Sequence, residues 1–277
     1  MGNFERMARI SAHVPILRQV LDLAHKRRFN AADGQVRLFR GIYPDFASAA
    51  RAVPKDRLEG YDNEQSADRV AHERRRICPF DYPIMFWLSK LLPHCKLLFD
   101  WGGNVGISYF GYRMYLSYPK TLTWLICDVP AVTALGETIA SEEAAPALQF
   151  TTTLDRVGGA DVLLAAGALH FIEDPLRQLR SAPSLPQHIL INKLPVYELP
   201  SSVTLHNMGS AFCPYHLFNR TEFVSRFEEL GYRLVDEWKC PDLSCEIPFF
   251  AGHSIAAFTG FYFTKQPSPA FGNDEAL

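Results

Sequence analysis

Residues Lys96 to Gly106 read K-L-L-F-D-W-G-G-N-V-G, and this stretch predicts a strand, a tight turn and the start of a helix. The apolar run Leu97 to Phe99 stops at Asp100, and Gly102, Gly103 and Gly106 flank Asn104 before a helical pattern begins. Residues without a Cβ let the backbone come close to a ligand, while the following helix points its free N–H groups at it. One strand later, Thr121 to Cys127 is a second apolar run that ends in Asp128 and Val129, with Pro130 suited to a helical first turn. Asp128 lies 22 residues beyond Gly106 (128 − 106 = 22). An acidic residue at the tip of a second strand, about 20 residues past a glycine turn, is positioned to accept hydrogen bonds from ribose hydroxyls. The pair therefore points to a nucleoside ligand.

The pattern is D-x-G-G-x-x-G rather than G-x-G-x-x-G, and the difference matters electrostatically. An aspartate before the glycines would repel a dinucleotide pyrophosphate but attract the ammonium of an amino-acid-bearing nucleoside. S-adenosylmethionine carries that group and NAD does not, which disfavours a nicotinamide oxidoreductase. Glycines after a strand also mark ordinary tight turns, so the turn alone does not decide the function.

The segments L-L-F-D-W-G-G-N-V-G, W-L-I-C-D-V-P-A-V, A-D-V-L-L-A-A-G-A-L-H-F-I-E-D-P and P-Y-H-L-F-N-R-T-E-F resemble class I S-adenosylmethionine-dependent methyltransferases. More narrowly, they resemble a bacterial group of mostly unassigned substrate, which is itself similar to methyltransferase-like azetidine-2-carboxylate synthases. The resemblance runs from Ile42 to Thr264. It implies an α/β fold with a Rossmann-like seven-stranded sheet, an N-terminal helical cap, and S-adenosylmethionine as co-substrate or sole substrate without a metal. It further implies that Gly102 and Gly103 pass under the methionine part, that Asp128 binds the ribose, and that Leu154 or Asp155 flanks adenine. Asp155 can equally be a helix cap.

Composition bounds the remaining possibilities. The chain has 277 residues, enough for one large core or a core with a small accessory domain. At 48% hydrophobic and 21% charged residues, it can fold without a disulfide or metal frame. Its 28 basic and 30 acidic residues leave a net charge of −2, which gives no footprint for nucleic acid, and Arg74 to Arg76 reads as a solvated helix face. The six cysteines are scattered without a C-x-x-C pair, arguing against zinc and against a disulfide framework. No charged segment followed by an apolar core opens the sequence, and no apolar run is long enough for a membrane span. A cytoplasmic protein with a small-molecule substrate is expected, with a homodimer possible.

In chain order, residues 1–28 contain an amphipathic helix starting at Pro15. From Phe29 to Pro93 the sequence is rich in aromatics and shows no alternating strands. Helices are expected over Phe46 to Ala52, Glu64 to Ile77 and Ile84 to Leu92, so residues 1–93 read as a helical cap or lid. Residues 94–265 read as the nucleoside-binding domain and 266–277 as a disordered tail. From Lys96 strand and helix alternate, which implies a parallel sheet covered on both faces. Helices are expected over Val105 to Ser117, Ala131 to Ala140 and Pro175 to Arg180. Further strands are expected at Leu148 to Thr151, Asp161 to Ala166 and His188 to Asn192. A helix over Thr221 to Leu230 and strands over Tyr232 to Lys239 and Ala256 to Thr264 complete the chain.

Ligands of open α/β sheets bind beyond the carboxyl ends of the strands. That rule selects Asp100 to Gly106, Asp128 and Val129, Thr152 to Asp155, Ala166 to Phe171, and Asn192 to Tyr197. Ala166 and Gly167 would present small groups to a sulfonium. His170 can serve as a general base, although a histidine there also serves for packing. Tyr197, and the cluster of His206, Asn207, Tyr215 and His216 in a loop before Phe218, can orient an acceptor through hydrogen bonds. Three functions follow: methyl transfer to a small, natural-product-like molecule, intramolecular cyclisation of S-adenosylmethionine to azetidine-2-carboxylate with release of methylthioadenosine, and a binding module without catalysis. The intact glycine turn and both aspartates argue against the last.

Overall fold

The computed structural model describes residues 15–31, 38–55, 57, 60–63, 75–209 and 211–266. The expected tail past Gln266 and most of the helix expected over 64–77 lie outside them. Two sheets organise the chain. The larger has seven strands: β2 (Leu97–Trp101), β3 (Thr123–Cys127), β4 (Leu148–Thr151), β5 (Val162–Ala166), β6 (His188–Leu194), β10 (Tyr232–Cys240) and β11 (Phe258–Lys265). Their spatial order is β10-β11-β6-β5-β2-β3-β4. Strands β4 to β6 pair in parallel through β3, β2 and β5, while β11 runs antiparallel to both β6 and β10.

The central strands are continuous apolar runs because both faces of the sheet are covered. Side chains alternate between the faces with the period of two that a strand imposes. Leu98, Trp124, Ile126, Val162, Leu164 and Leu190 join one core. That core is completed by α3 (Tyr82–Leu91), α4 (Ile107–Tyr112) and α5 (Pro130–Glu142), through Leu88, Phe110 and Val132. Phe99, Leu125, Leu163, Ile189, Phe261 and Phe263 join the other. There α6 (Pro175–Arg180) and α7 (Arg220–Glu228) supply Leu176, Leu179, Phe223 and Phe227. Each such side chain contributes about 1.5–3 kcal/mol on full burial.

The N-terminal region departs from the helical reading. It does contain helices α1 (Pro15–Asn30) and α2 (Phe46–Ala50), but between them lies a strand, β1 (Leu38–Tyr43). β1 pairs antiparallel with β8 (Ser202–Asn207), which pairs with β9 (Phe212–Asn219), which pairs in parallel with β7 (Val196–Tyr197). The second sheet therefore has the order β1-β8-β9-β7. The segment expected as a loop around His206 and Tyr215 is instead two strands. Neither L-F-R-G-I-Y nor F-C-P-Y-H-L-F-N alternates cleanly, and pairing with a distant partner, not local pattern, makes each a strand. The small sheet closes over a core of Phe39, Tyr215, Leu217, Cys240, Ile247 and Phe258. Helix α4 is shorter than expected, ending at Tyr112.

Candidate functional site

From β2 the chain moves outward to β3 and β4, then returns to the other side of β2 as β5 and β6. The order of strands therefore reverses between β2 and β5, and the crevice above their carboxyl ends is the place where a ligand fits. Four of the sequence-selected groups meet there: the turn 102–106 after β2, Asp128 after β3, Ala166 and Gly167 at the end of β5, and His170 just beyond.

The turn is built for close approach. Gly102 has φ of +72°, its N–H donates to the Cys127 carbonyl (2.8 Å), and a Cβ there would lie 2.2 Å from the Cβ of Ala168. A Cβ on Gly103 would fall 2.5 Å from the Asp100 carboxyl carbon. No side chain larger than hydrogen fits either place without movement of a neighbour. Asn104 takes φ of +55° and turns its amide onto the Tyr61 hydroxyl (2.6 Å), while its Oδ1 accepts from Val105 N–H (2.8 Å). Tyr61 also stacks 6.4 Å from the ring of Phe171 beyond β5. It thus bridges the glycine turn and the far side of the crevice.

Asp128 ties the tip of β3 to this turn. Its carboxylate accepts from Asn104 N–H (2.9 Å) and from Val129 N–H (2.8 Å). Burial is the largest cause of its raised pKa, which those two bonds oppose. Each carboxylate oxygen has a second lone pair, so both can still accept from a diol.

Asp100 is fully buried, which the sequence did not foretell. Its Oδ2 accepts from Trp124 Nε1–H (2.9 Å), and its Oδ1 has no hydrogen-bond partner. Burial pushes its pKa up to about 7; the Trp124 bond opposes the rise, the charge of Asp128 adds to it, and Lys193 opposes it. The carboxyl lies directly beneath Gly103, so it acts on a ligand across the backbone of the turn rather than by projecting into the crevice.

The other expected residues separate into two groups. His170 and Tyr215 stand together, ring centroids 4.3 Å apart, in a buried aromatic cluster with Phe39, Phe171 and His206. Tyr197 and Asn207 are tied elsewhere. The Tyr197 hydroxyl bonds with Ser202 Oγ (2.7 Å) and donates to the Pro200 carbonyl (2.9 Å). Asn207 is buried, donates to the carbonyls of Phe29 (2.5 Å) and Ala31 (3.4 Å), and accepts from Gly209 N–H (2.7 Å). It fastens the end of α1 to the small sheet. Leu154 packs in part against the second core, and Asp155 is exposed and accepts from Thr153 Oγ1 (2.8 Å) instead of capping a helix.

Sequence reasoning missed the residues contributed by segment 61–81 and by the end of β6. Asp62 accepts from Ala131 N–H (2.9 Å) at the start of α5. Asp81 is buried, accepts from Cys78 N–H (3.0 Å) and the Tyr112 hydroxyl (3.2 Å), and lies 3.5 Å from Lys193 Nζ. Asn192 donates to the Phe80 carbonyl (2.9 Å) and accepts from Trp238 Nε1–H (3.0 Å). The one available signal was the polar pair N-K that interrupts the apolar run of β6 at its carboxyl end. A separate cavity of about 160 Å³, bordered by Glu173, Asp174, His216, Glu222 and Arg226, shares no residue with the glycine turn.

Six parallel strands with one antiparallel strand next to the edge, in the order β4-β3-β2-β5-β6-β11-β10, make this the Rossmann-like sheet of the class I methyltransferase fold. No protein-family model matches the chain, and no curated protein matches it. Among solved structures, the chain is similar to the Burkholderia thailandensis 1,6-didemethyltoxoflavin-N1-methyltransferase with bound 1,6-didemethyltoxoflavin and S-adenosylhomocysteine. That likeness has 14% identity, covers 74% of this chain and 84% of that one, and has a TM-score of 0.48. It is also similar to the CcbJ methyltransferase from Streptomyces caelestis (14% identity, 76% and 99% covered, TM-score 0.46). An S-adenosylmethionine-dependent methyltransferase from Mesorhizobium loti shows 12% identity, 67% and 97% coverage, and a TM-score of 0.45. At these identities the likeness concerns the fold. Among the described residues, no group of His, Cys, Asp and Glu is arranged to hold a metal, and no helix is long and apolar enough to cross a membrane.

Proposed function

We propose that this chain is an S-adenosylmethionine-dependent enzyme that transfers a methyl group to a small molecule. The observation that carries the reading is the joint made by Asn104 N–H and the Asp128 carboxylate. It fixes a Cβ-free turn and a diol acceptor on adjacent strand ends beside the reversal point. The residues fit the cofactor on chemistry present in this chain: Gly102 and Gly103 leave a cradle that any Cβ would obstruct, and Asp128 retains acceptor capacity. In this reading Gly102 to Gly106 line the methionine end, Asp128 receives the ribose, Val129, Leu154 and Asp155 border adenine, and Ala166 and Gly167 leave room at the sulfur.

Bound S-adenosylmethionine supplies an electrophilic methyl group on a sulfonium. The chain's own task is then to orient the acceptor and exclude water more than to supply a strong base. Tyr61, held by Asn104 and set against Phe171, screens the turn from solvent. The rings around His170 form an apolar, polarisable wall, and an aromatic face near a sulfonium stabilises it by about 0.5–2 kcal/mol. His170 is buried among rings, which suits a packing role better than proton transfer.

Cyclisation of S-adenosylmethionine to azetidine-2-carboxylate is the second reading, and one observation favours it. A carboxyl with a pKa near 7, sealed under Gly103, does not clamp an ammonium as a full anion would, so an amine beside it can lose its proton more easily. Incubating the protein with S-adenosylmethionine alone, followed by mass spectrometry, separates the two. An intact, bound cofactor supports methyl transfer; methylthioadenosine formed with a four-membered cyclic amino acid, faster than without protein, supports cyclisation. Failure of S-adenosylhomocysteine to bind would overturn both.

A further inference from the structure

The end of β6 holds a lysine in a backbone conformation that lysine disfavours. Lys193 has φ of +59°, in the left-handed region where a side chain crowds its own backbone. Such strain persists only where the surroundings impose it, and it collects at functional sites. Here it brings the lysine stem against the turn at the end of β5: a Cβ on Gly167 would lie 3.5 Å from Lys193 Cδ. The ammonium then sits 5.1 Å from the centre of the Phe80 ring and 3.5 Å from Asp81 Oδ1.

The neighbours of this ammonium are already occupied. Asp81 serves Cys78 N–H and the Tyr112 hydroxyl, and both polar ends of Asn192 are taken by Phe80 and Trp238. Asp81 therefore supplies countercharge at ion-pair distance without a hydrogen bond to the lysine. Of the pair, Lys193 is the open member, its side chain 24% exposed against 6% for Asp81. An ammonium has three donors, and this one borders the strand end where Ala166 and Gly167 leave space. Across that space stand Phe171, His170 and Tyr215.

We propose that Lys193 is the carboxylate-binding residue of this site, a specificity determinant that holds an anionic ligand oxygen beside Gly167. The inference rests on the S-adenosylmethionine reading, under which the carboxylate has two sources: the methionine end of the cofactor or a small acidic acceptor. Charge-assisted hydrogen bonds of this kind are among the strong ones, so their loss lowers affinity about tenfold or more.

The test compares wild type with Lys193→Asn, which removes the charge but tolerates positive φ, and with Lys193→Arg, which keeps the charge. Thermal unfolding of all three establishes that the fold is retained. Calorimetric titration with S-adenosylhomocysteine and with methylthioadenosine, which lacks the amino-acid part, forms one arm. The other titrates benzoate, salicylate and anthranilate, each beside its uncharged amide, into protein saturated with S-adenosylhomocysteine. If K193N loses about tenfold in S-adenosylhomocysteine affinity, keeps methylthioadenosine affinity and is rescued by K193R, Lys193 holds the cofactor's carboxylate. If instead K193N keeps both nucleosides but loses a preference of wild type for an acid over its amide, Lys193 holds the acceptor's carboxylate. Equal affinities of K193N and wild type in both arms would overturn the proposal. If neither nucleoside binds wild type, the cofactor reading is what fails, and the acid and amide titrations of unloaded protein decide Lys193 by the same comparison.

Discussion

Replacing Asp100 by asparagine should flatten the fall in stability that the wild-type chain undergoes as pH rises from acid to neutral. The carboxyl is fully buried, with one oxygen on Trp124 Nε1–H and the other without a partner. Its pKa is about 7 in the folded chain against 3.8 for an unperturbed group. The folded state thus keeps a proton that the unfolded state releases. Stability from this group is complete below the unfolded pKa, and is lost as pH rises, levelling off above the folded pKa. At about 1.36 kcal/mol per pKa unit, integration from about pH 5 to about pH 8 gives a loss of about 2.5 kcal/mol. The asparagine of the variant stays neutral and can accept from Trp124 as the protonated acid does. Urea unfolding of both proteins at several pH values between these limits measures the difference directly, because every other titrating group is common to the pair. The stability of D100N relative to wild type should rise by about 2.5 kcal/mol across the window. Parallel profiles, with a difference constant to within about 0.5 kcal/mol, would refute the assignment of a raised pKa to Asp100.

Gly102→Ala combines a positive φ with a Cβ placed 2.2 Å from Ala168 Cβ; it should destabilise the chain by about 2–4 kcal/mol and weaken S-adenosylhomocysteine binding, as read by thermal shift and calorimetry. Asp128→Ala strands the N–H groups of Asn104 and Val129, so nucleoside affinity should fall about tenfold or more with a stability cost of about 1–3 kcal/mol. Asn207→Ala removes the clip on Phe29 and Ala31, and should lower unfolding stability by about 1–3 kcal/mol while leaving turnover per folded molecule unchanged.

The parts of the fold that were legible in the sequence are those written by local pattern. Leu97–Trp101, Thr123–Cys127 and Val162–Ala166 are buried on both faces, so each reads as an unbroken apolar run, and the turn after the first carries its glycines for steric reasons visible in the letters alone. Asp128 was legible because its spacing from the turn reflects one helix and one strand. What was not legible depends on contacts distant in sequence. β1 is a strand because β8 pairs with it, and the two lie more than 150 residues apart. Asp81 and Lys193 meet across 112 residues (193 − 81 = 112), and nothing near either residue announces the other. Asn207 and Tyr197 carry side chains suited to an acceptor site, but chemistry of the side chain says nothing about where its hydrogen bonds go.

The pairing of β1 with β8 also sets a schedule for synthesis. Arg40 is made early and its partner Leu205 comes 165 residues later (205 − 40 = 165). At about 5–20 residues per second, β1 emerges roughly ten to thirty seconds before the strand that completes it. During that interval its backbone edge is open to other chains, which is the situation that favours aggregation. The seven-stranded sheet is in the same position, since β10 and β11 arrive last and its strand β6 meets β11 only at the end of the chain. Slower translation would lengthen the exposure of β1, and a chaperone that shields extended segments should raise the yield of this protein more than one that acts on collapsed domains.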